Sequence, residues 1–287
     1  MGSTEDEYLI SVTKLEDLGG MRTNQCARVR SSGLRDAMRA PASAPQPTSE
    51  ARSARFFHMH KSIAQALEPL GLLLRGGMHL APGDKVPALP DGSAAQTLLL
   101  VGNAGPALWR AFAAAPEYAD GQAHPLNRWT RRQLDAVAGP FGGTVLYPFD
   151  MAPAWPFQRW AARCEAVHPS PLGLLVHPQY GLWHAYRGAI LVAPLLDLAA
   201  PASAPSPCQT CAGQPCLSRC PVGAFTPGGY NVAACATHLA LPEGQDCLGA
   251  GCLARRACPV GEGFAQAPAQ NAFHMRAFRN AMAGAKP

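Results

Sequence analysis

Eight of the ten cysteines in this sequence lie between positions 208 and 258, in two runs that each end in Cys-Pro. The first run is Cys208-x2-Cys211-x4-Cys216-x3-Cys220-Pro221, and the second is Cys235-x11-Cys247-x4-Cys252-x5-Cys258-Pro259. Three thiolates from a tight turn can grip three corners of a cubane iron–sulfur cluster. A fourth Cys, just before a Pro, is carried away by the chain and ligates a second cluster. On that pattern Cys208, Cys211, Cys216 and Cys258 hold one 4Fe–4S cluster, while Cys220, Cys235, Cys247 and Cys252 hold another. The chemistry would be the movement of single electrons. Paired zinc sites would also accept four thiolates each, although they give no reason for Pro after both terminal cysteines. A single cluster is the third reading. Disulfides need an oxidising compartment, and the acidic Glu5, Asp6 and Glu7 sit where a secretory signal would carry basic residues. The spacing departs from the bacterial ferredoxin run, which has two residues where this chain has four between Cys211 and Cys216. Cys26 falls in an N-terminal tail, and Cys164 reads as a small core residue on a helix.

The residues before the array must supply something for those electrons to reach. The chain has 287 residues, 48% of them hydrophobic and 15% charged, enough for a sizeable core in one full domain plus a small second one. Twenty-eight Pro and twenty-eight Gly predict a loop-rich fold. The net charge of +5 comes largely from Arg between positions 22 and 55, so it does not argue for a nucleic-acid partner, and none is expected. A membrane span needs roughly 18 apolar residues. The best stretch, Gly188 to Ala200, is broken by Pro194 and Asp197, so no membrane is expected either. The default is a reducing, cytoplasmic setting. An organelle matrix is the alternative if the acid-poor, Arg- and Ser-rich stretch 21–54 acts as a transit segment.

Residues 1–54 read as a flexible extension, and the folded part begins near Arg55. Phe56, Phe57, Ile63, Ala66, Leu67 and Leu70 recur at helical spacing up to Gly71. A strand at Thr97–Val101, the turn Gly102-Asn103-Ala104-Gly105 and a helix from Pro106 to about Ala115 make a strand–turn–helix unit. Further helices are predicted over Asn127–Val137 and Gln158–Ala166, and strands over Gly143–Leu146, Leu174–His177 and Ala185–Val192. This alternation over residues 55–200 predicts an α/β (α+β) sandwich. A Pro/Ala/Ser linker, 201–207, leads into the cysteine region, which ends near 265. Residues 266–287 form a C-terminal helix, Gln270–Met282, and a tail.

Five residues of the α/β part stand out as candidate ligand contacts. His124 either approaches a ligand or simply starts a helix before Pro125. His177, like His184, flanks a turn between apolar strands, where it either lines a pocket or holds the turn together. Trp183 and Tyr186 either pack on a flat ligand or belong to the core. Arg187 inside a hydrophobic strand is costly unless paired. It either holds a carboxylate, phosphate or amide of a ligand, or joins a structural ion pair.

The stretch from Leu175 to Leu191, with its His177-Pro178 turn, Gly181-x-Trp183 and Arg187-Gly188 before a strand, resembles the cobalamin-processing (cblC-type) decyanase/dealkylase family. His124-Pro125-Leu126-Asn127-Arg128 is similar to that family's His-Pro-Asn-Arg element near the corrinoid. The cysteine region resembles that of epoxyqueuosine reductase and the reductive dehalogenases, with Cys235-Ala236-Thr237-His238-Leu239 in the place of their Cys-Ile-Ser-Tyr-Leu. This double resemblance covers roughly residues 80–265. It implies a sandwich of the nitroreductase/flavin-reductase-like type followed by a small ferredoxin-like two-cluster domain. It implies a cobalamin-type corrinoid as ligand, reduced with loss of its upper axial ligand, and a low-potential donor such as a ferredoxin or flavoprotein reductase. The alternatives are a ferredoxin-like relay whose α/β domain docks a partner, or flavin in place of the corrinoid. Epoxyqueuosine reductases carry a helical-repeat extension that helps hold transfer RNA, whereas this sequence ends soon after Cys258. Their Gly-Leu-Gly-Trp-Ile-Gly-Lys turn is replaced by His168-Pro169-Ser170-Pro171-Leu172-Gly173-Leu174.

Overall fold

The computed structural model describes residues 59–284. The N-terminal extension 1–54 and Cys26 lie outside the described residues. The chain opens with helix α1 (59–67), which ends through a 3-10 turn at Gly71. Strand β1 (Leu73–His79) and strand β2 (Thr97–Ala104) follow, then helices α2 (Ala107–Ala113), α3 (Pro116–Ala119) and α4 (Pro125–Ala138). Next come β3 (Thr144–Leu146), α5 (Phe157–Cys164), the short β4 (His168–Pro169) and β5 (Leu175–Val176), and the long β6 (His184–Val192).

One four-stranded sheet in the order β1-β2-β6-β3 organises this part, and every pairing in it is antiparallel. β2 is buried at all of its positions because both faces of the sheet are covered. A strand points successive side chains to opposite faces. Leu99 and Val101 therefore join Ile190 and Val192 in a core with Leu67, Phe112 and Trp129 from α1, α2 and α4. Leu98 and Leu100 join Ala189 and Leu191 on the other face, against Phe157 and Trp160 of α5. Burying a side chain of this size contributes about 1.5–3 kcal/mol, so the two-sided burial explains why these strands are continuous apolar runs.

The structure is thus a mixed α/β fold around an antiparallel sheet, and among its differences from the sequence expectation are two that concern β1 and β2. β1 was not expected, and β2 runs three residues past the expected end at Val101. β1 carries Gly76 and Gly77 at an irregularity in its pairing with β2, and these glycines interrupt the apolar pattern.

The cysteine region has little regular structure before its helices. It contains α6 (Pro215–Ser218), a two-stranded ribbon of β7 (Phe225–Thr226) and β8 (Gly229–Tyr230), and helices α7 (Val232–Ala240), α8 (Gln245–Ala250) and α9 (Leu253–Arg256). The last helix, α10 (Pro268–Gly284), joins the two halves. Its Phe273 packs among the rings of Trp109, Phe112 and Tyr118. Its Phe278 sits in a core with Leu239, Cys247 and Leu248. Among the described residues no helix is long and apolar enough to cross a membrane.

Candidate functional site

The array of thiols is half-buried rather than displayed on the surface. Cys208, Cys216, Cys220, Cys252 and Cys258 pack against the apolar cluster of Leu172, Val176, Leu182 and Ala254, and Cys235 and Cys247 belong with Leu248 and Phe278. Burial, first of all, raises the thiols of Cys208, Cys216, Cys235, Cys247, Cys252 and Cys258, and their neighbours add to it. Cys216 feels Cys258, Cys208 and Cys211, and Cys258 in turn feels Cys211. Cys235 is pushed up to about 11 by burial and then by Cys252, Cys220 and Cys247, and Cys252 feels Cys247 and Cys220. None of the nine described cysteines is in a disulfide. Among the described residues no three His, Cys, Asp or Glu side chains converge closely enough to hold one metal ion. A cubane iron–sulfur cluster takes four thiolates at the corners of its core. Soft, half-buried thiols in neighbouring groups are a donor set suited to such clusters.

Beside the array lies a cavity open to solvent. Its apolar wall comes from Leu172, Leu174, Leu175, Leu182, Phe225 and Met275. Polar groups reach it from several elements: His184, Tyr186 and Arg187 from β6, Arg255 from α9, Gln266, and His274 from α10. Cys235 and Cys252 form part of the same wall. A concavity that is mostly apolar, with a few polar groups converging on it, is the form of a small-molecule site.

Two tight contacts hold the sheet and the cysteine region against each other. The turn at Tyr180-Gly181 lies so close to Val260-Gly261 that a Cβ on Gly181 would sit 1.8 Å from the Val260 carbonyl oxygen. Arg255 donates through Nε (3.1 Å) and Nη2 (2.6 Å) to the Leu182 carbonyl, with its guanidinium 4.7 Å above the Trp183 ring.

Behind the cavity wall runs a buried polar layer built on Arg75, a residue the sequence reading passed over. Arg75 lies in β1, bonded through Nε to Glu165 Oε2 (3.0 Å) and paired through Nη2 with Glu165 Oε1 (2.9 Å). The Tyr186 hydroxyl donates to the same carboxylate. Burial pushes Glu165 up, against the pull of Arg75 and the Tyr186 hydrogen bond. Removing one partner of such a buried pair costs about 3–5 kcal/mol, because the other charge is left uncompensated. Arg75 Nη2 also faces His184 Nδ1 at 3.4 Å. An arginine only donates, so Nδ1 accepts and the Nε2–H donates to the Leu175 carbonyl (3.0 Å). Burial, then Arg75 and His177, hold His184 neutral, far below its ordinary value.

Of the five candidate contacts, Tyr186 and Arg187 line the cavity, and His124, His177 and Trp183 do not. Arg187 is buried and donates through Nε to Asn103 Oδ1 at 3.0 Å. His124 is the residue before α4, with φ of 52° and its carbonyl accepting from Arg128 N. His177 orders its own turn, where Nδ1 accepts from the amides of Gln179 (3.0 Å) and Tyr180 (3.2 Å). Trp183 is buried beneath Arg255. The residues missed were Arg75, Glu165, Arg255, Gln266 and His274. A buried Arg in an apolar stretch was the one signal present for Arg75, and the glycines beside it masked the strand.

No family model matches the chain, and no curated protein matches it. Solved structures similar to it include an epoxyqueuosine reductase with a tRNA-Tyr epoxyqueuosine-modified tRNA stem loop, at 15% identity over 74% of this chain and 68% of that one, with a TM-score of 0.45. A C. elegans B12-trafficking protein CblC is similar at 12% identity over 79% of this chain and 97% of that one, with a TM-score of 0.46. Epoxyqueuosine reductase from Bacillus subtilis is similar at 15% identity over 73% and 67%, with a TM-score of 0.45. Both kinds of protein are among those that the sequence motifs resemble.

Proposed function

We propose that this chain is an iron–sulfur oxidoreductase that takes a cobalamin-type corrinoid into the cavity and reduces it, with departure of the upper axial ligand. The observation that carries the reading is that Cys235 and Cys252 stand in the same cavity wall as Tyr186 and Arg187. In this reading Cys208, Cys211, Cys216 and Cys258 hold one 4Fe–4S cluster, and Cys220, Cys235, Cys247 and Cys252 hold the other. Bound there, such clusters supply single electrons at potentials that can reach about −400 mV. The protein's own share is orientation and exclusion of water. The leucine-rich wall accepts a flat apolar macrocycle, Arg187 holds a polar substituent, and the Arg75–Glu165 pair fixes Tyr186 from behind. His177 and Trp183 act at one remove, by ordering the turn and seating Arg255.

The proposed organisation is an α/β corrinoid-binding domain over 55–200, of the nitroreductase/flavin-reductase-like type, and a ferredoxin-like domain over 201–265. The helix and tail of 266–287 follow, and a ferredoxin or flavoprotein reductase is the donor.

Anaerobic reconstitution tests the proposal. The expected protein carries about eight irons per chain and an absorbance shoulder near 400 nm. Titration with hydroxocobalamin should then shift the corrin bands and raise the melting temperature by linkage. Zinc in place of iron overturns the cluster assignment. Iron without any corrinoid response leaves an electron relay, and a tightly bound yellow cofactor points to flavin.

A further inference from the structure

Three side chains able to donate to an anion reach the cavity from three separate elements: Arg187 from β6, Arg255 from α9 and His274 from α10. Among the described residues no Asp or Glu lines the cavity. The nearby Glu165 is engaged behind the wall by Arg75 and Tyr186. The Asn103 contact orients the Arg187 guanidinium, and the Leu182 carbonyl orients that of Arg255. His274 lies within the field of both arginines, and burial first, then those two charges, press it down to about 3. A low-dielectric concavity lined by charge of one sign concentrates ligands of the other. Beside these groups Gln266 is 7% exposed and lines the same cavity, yet among the described residues its Oε1 has no hydrogen-bond partner. A buried acceptor without a donor is destabilising unless something supplies one, and a ligand amide or hydroxyl would.

We infer that Arg187, Arg255 and His274 form a subsite for an anionic group of the ligand, a phosphate or a carboxylate, with Gln266 accepting from a neighbouring donor. The inference rests on the corrinoid reading of the cavity and narrows it. The favoured ligand is a corrinoid that carries an anion, either the phosphodiester of a nucleotide tail or a carboxylate on the ring periphery.

The cluster-loaded protein is titrated with hydroxocobalamin, with cobinamide, which lacks the phosphodiester, and with a ring monocarboxylate of cobinamide. Charge-assisted hydrogen bonds of this kind favour the anion-bearing ligand by about tenfold or more over cobinamide. Preference for hydroxocobalamin, competed by inorganic phosphate at constant ionic strength, assigns the subsite to the tail. Preference for the monocarboxylate alone assigns it to the ring. Arg187→Gln and His274→Phe should each narrow the preference for the favoured ligand over cobinamide towards unity.

Equal affinity of the wild-type protein for all three overturns the inference. In that case a shifted cluster potential in Arg187→Gln would assign the arginine charge to the cluster instead. If no corrinoid binds at all, the parent reading fails, and inorganic phosphate alone becomes the probe. A phosphate-dependent rise in melting temperature, absent in Arg187→Gln, would still support the subsite, and no rise would remove it.

Discussion

His177 shows how the polar layer fixes protonation at a single residue. Its Nδ1 accepts from two backbone amides, so the neutral ring carries its proton at Nε2. The Glu165 carboxylate, 3.7 Å away, would favour a second proton. That carboxylate is already claimed by Arg75, however, and burial followed by the Arg75 charge lowers His177 to about 4. The unfolded ring titrates near 6.5, so between those values the unfolded chain binds the proton and the folded one does not. The stabilising contribution is complete above pH 6.5 and is lost as pH falls through about 4. His177→Asn keeps an acceptor close to the place of Nδ1 and removes the titration. Melting curves of both proteins at matched cluster loading should diverge as pH falls from 6.5 towards 4, the wild type losing more. Parallel curves would show that His177 is not held neutral.

Between elements, the decisive contact is glycine against backbone. Gly181 has φ of +57° and Gly261 has φ of +74°, and each packs on the main chain of the other's turn. Gly181→Ala would suffer both left-handed strain, about 1–2 kcal/mol, and a collision with the Val260 carbonyl. Gly173, with φ of +72° and open space around it, offers the same strain without the collision. Hydrogen exchange should show the segment around Cys258 opening in Gly181→Ala while the central sheet stays protected, with Gly173→Ala close to wild type there. Similar exchange in the two variants would mean that this contact does not seat the cysteine region. The same elements explain what the sequence made readable. β2 and β6 are covered on both faces, so their apolar runs are visible in the sequence. β1 is not, because Arg75, Gly76 and Gly77 break its pattern. The spacing also predicts α10 as a helix, but whether its faces serve the aromatic core, the cavity and the cysteine region depends on partners more than 100 residues away, such as Trp109. The pairing of Arg75 with Glu165, 90 positions apart, is likewise a product of the fold and carries no local signal.

At the scale of the whole molecule, the cysteine runs are not separable along the chain. Cys258, from the second run, lies in the electrostatic field of Cys208, Cys211 and Cys216, and Cys220, from the first, acts on Cys235, Cys247 and Cys252. α10 then ties the second group to the aromatic core of the sheet through Phe278 and Phe273. The proposed exchange of one ligand between runs would make each half depend on the other, so a substitution in the first run should be felt at the second group. Cys220→Ser is expected to lower iron from about eight to about four per chain. The surviving signal should belong to the group of Cys208, Cys211, Cys216 and Cys258. Because Cys235 and Cys252 line the cavity while Arg187 is held independently by Asn103, the variant should still bind hydroxocobalamin but no longer reduce it. Loss of the other group's iron, with reduction intact, would reverse the assignment of Cys220 and break the proposed route from the array to the cavity.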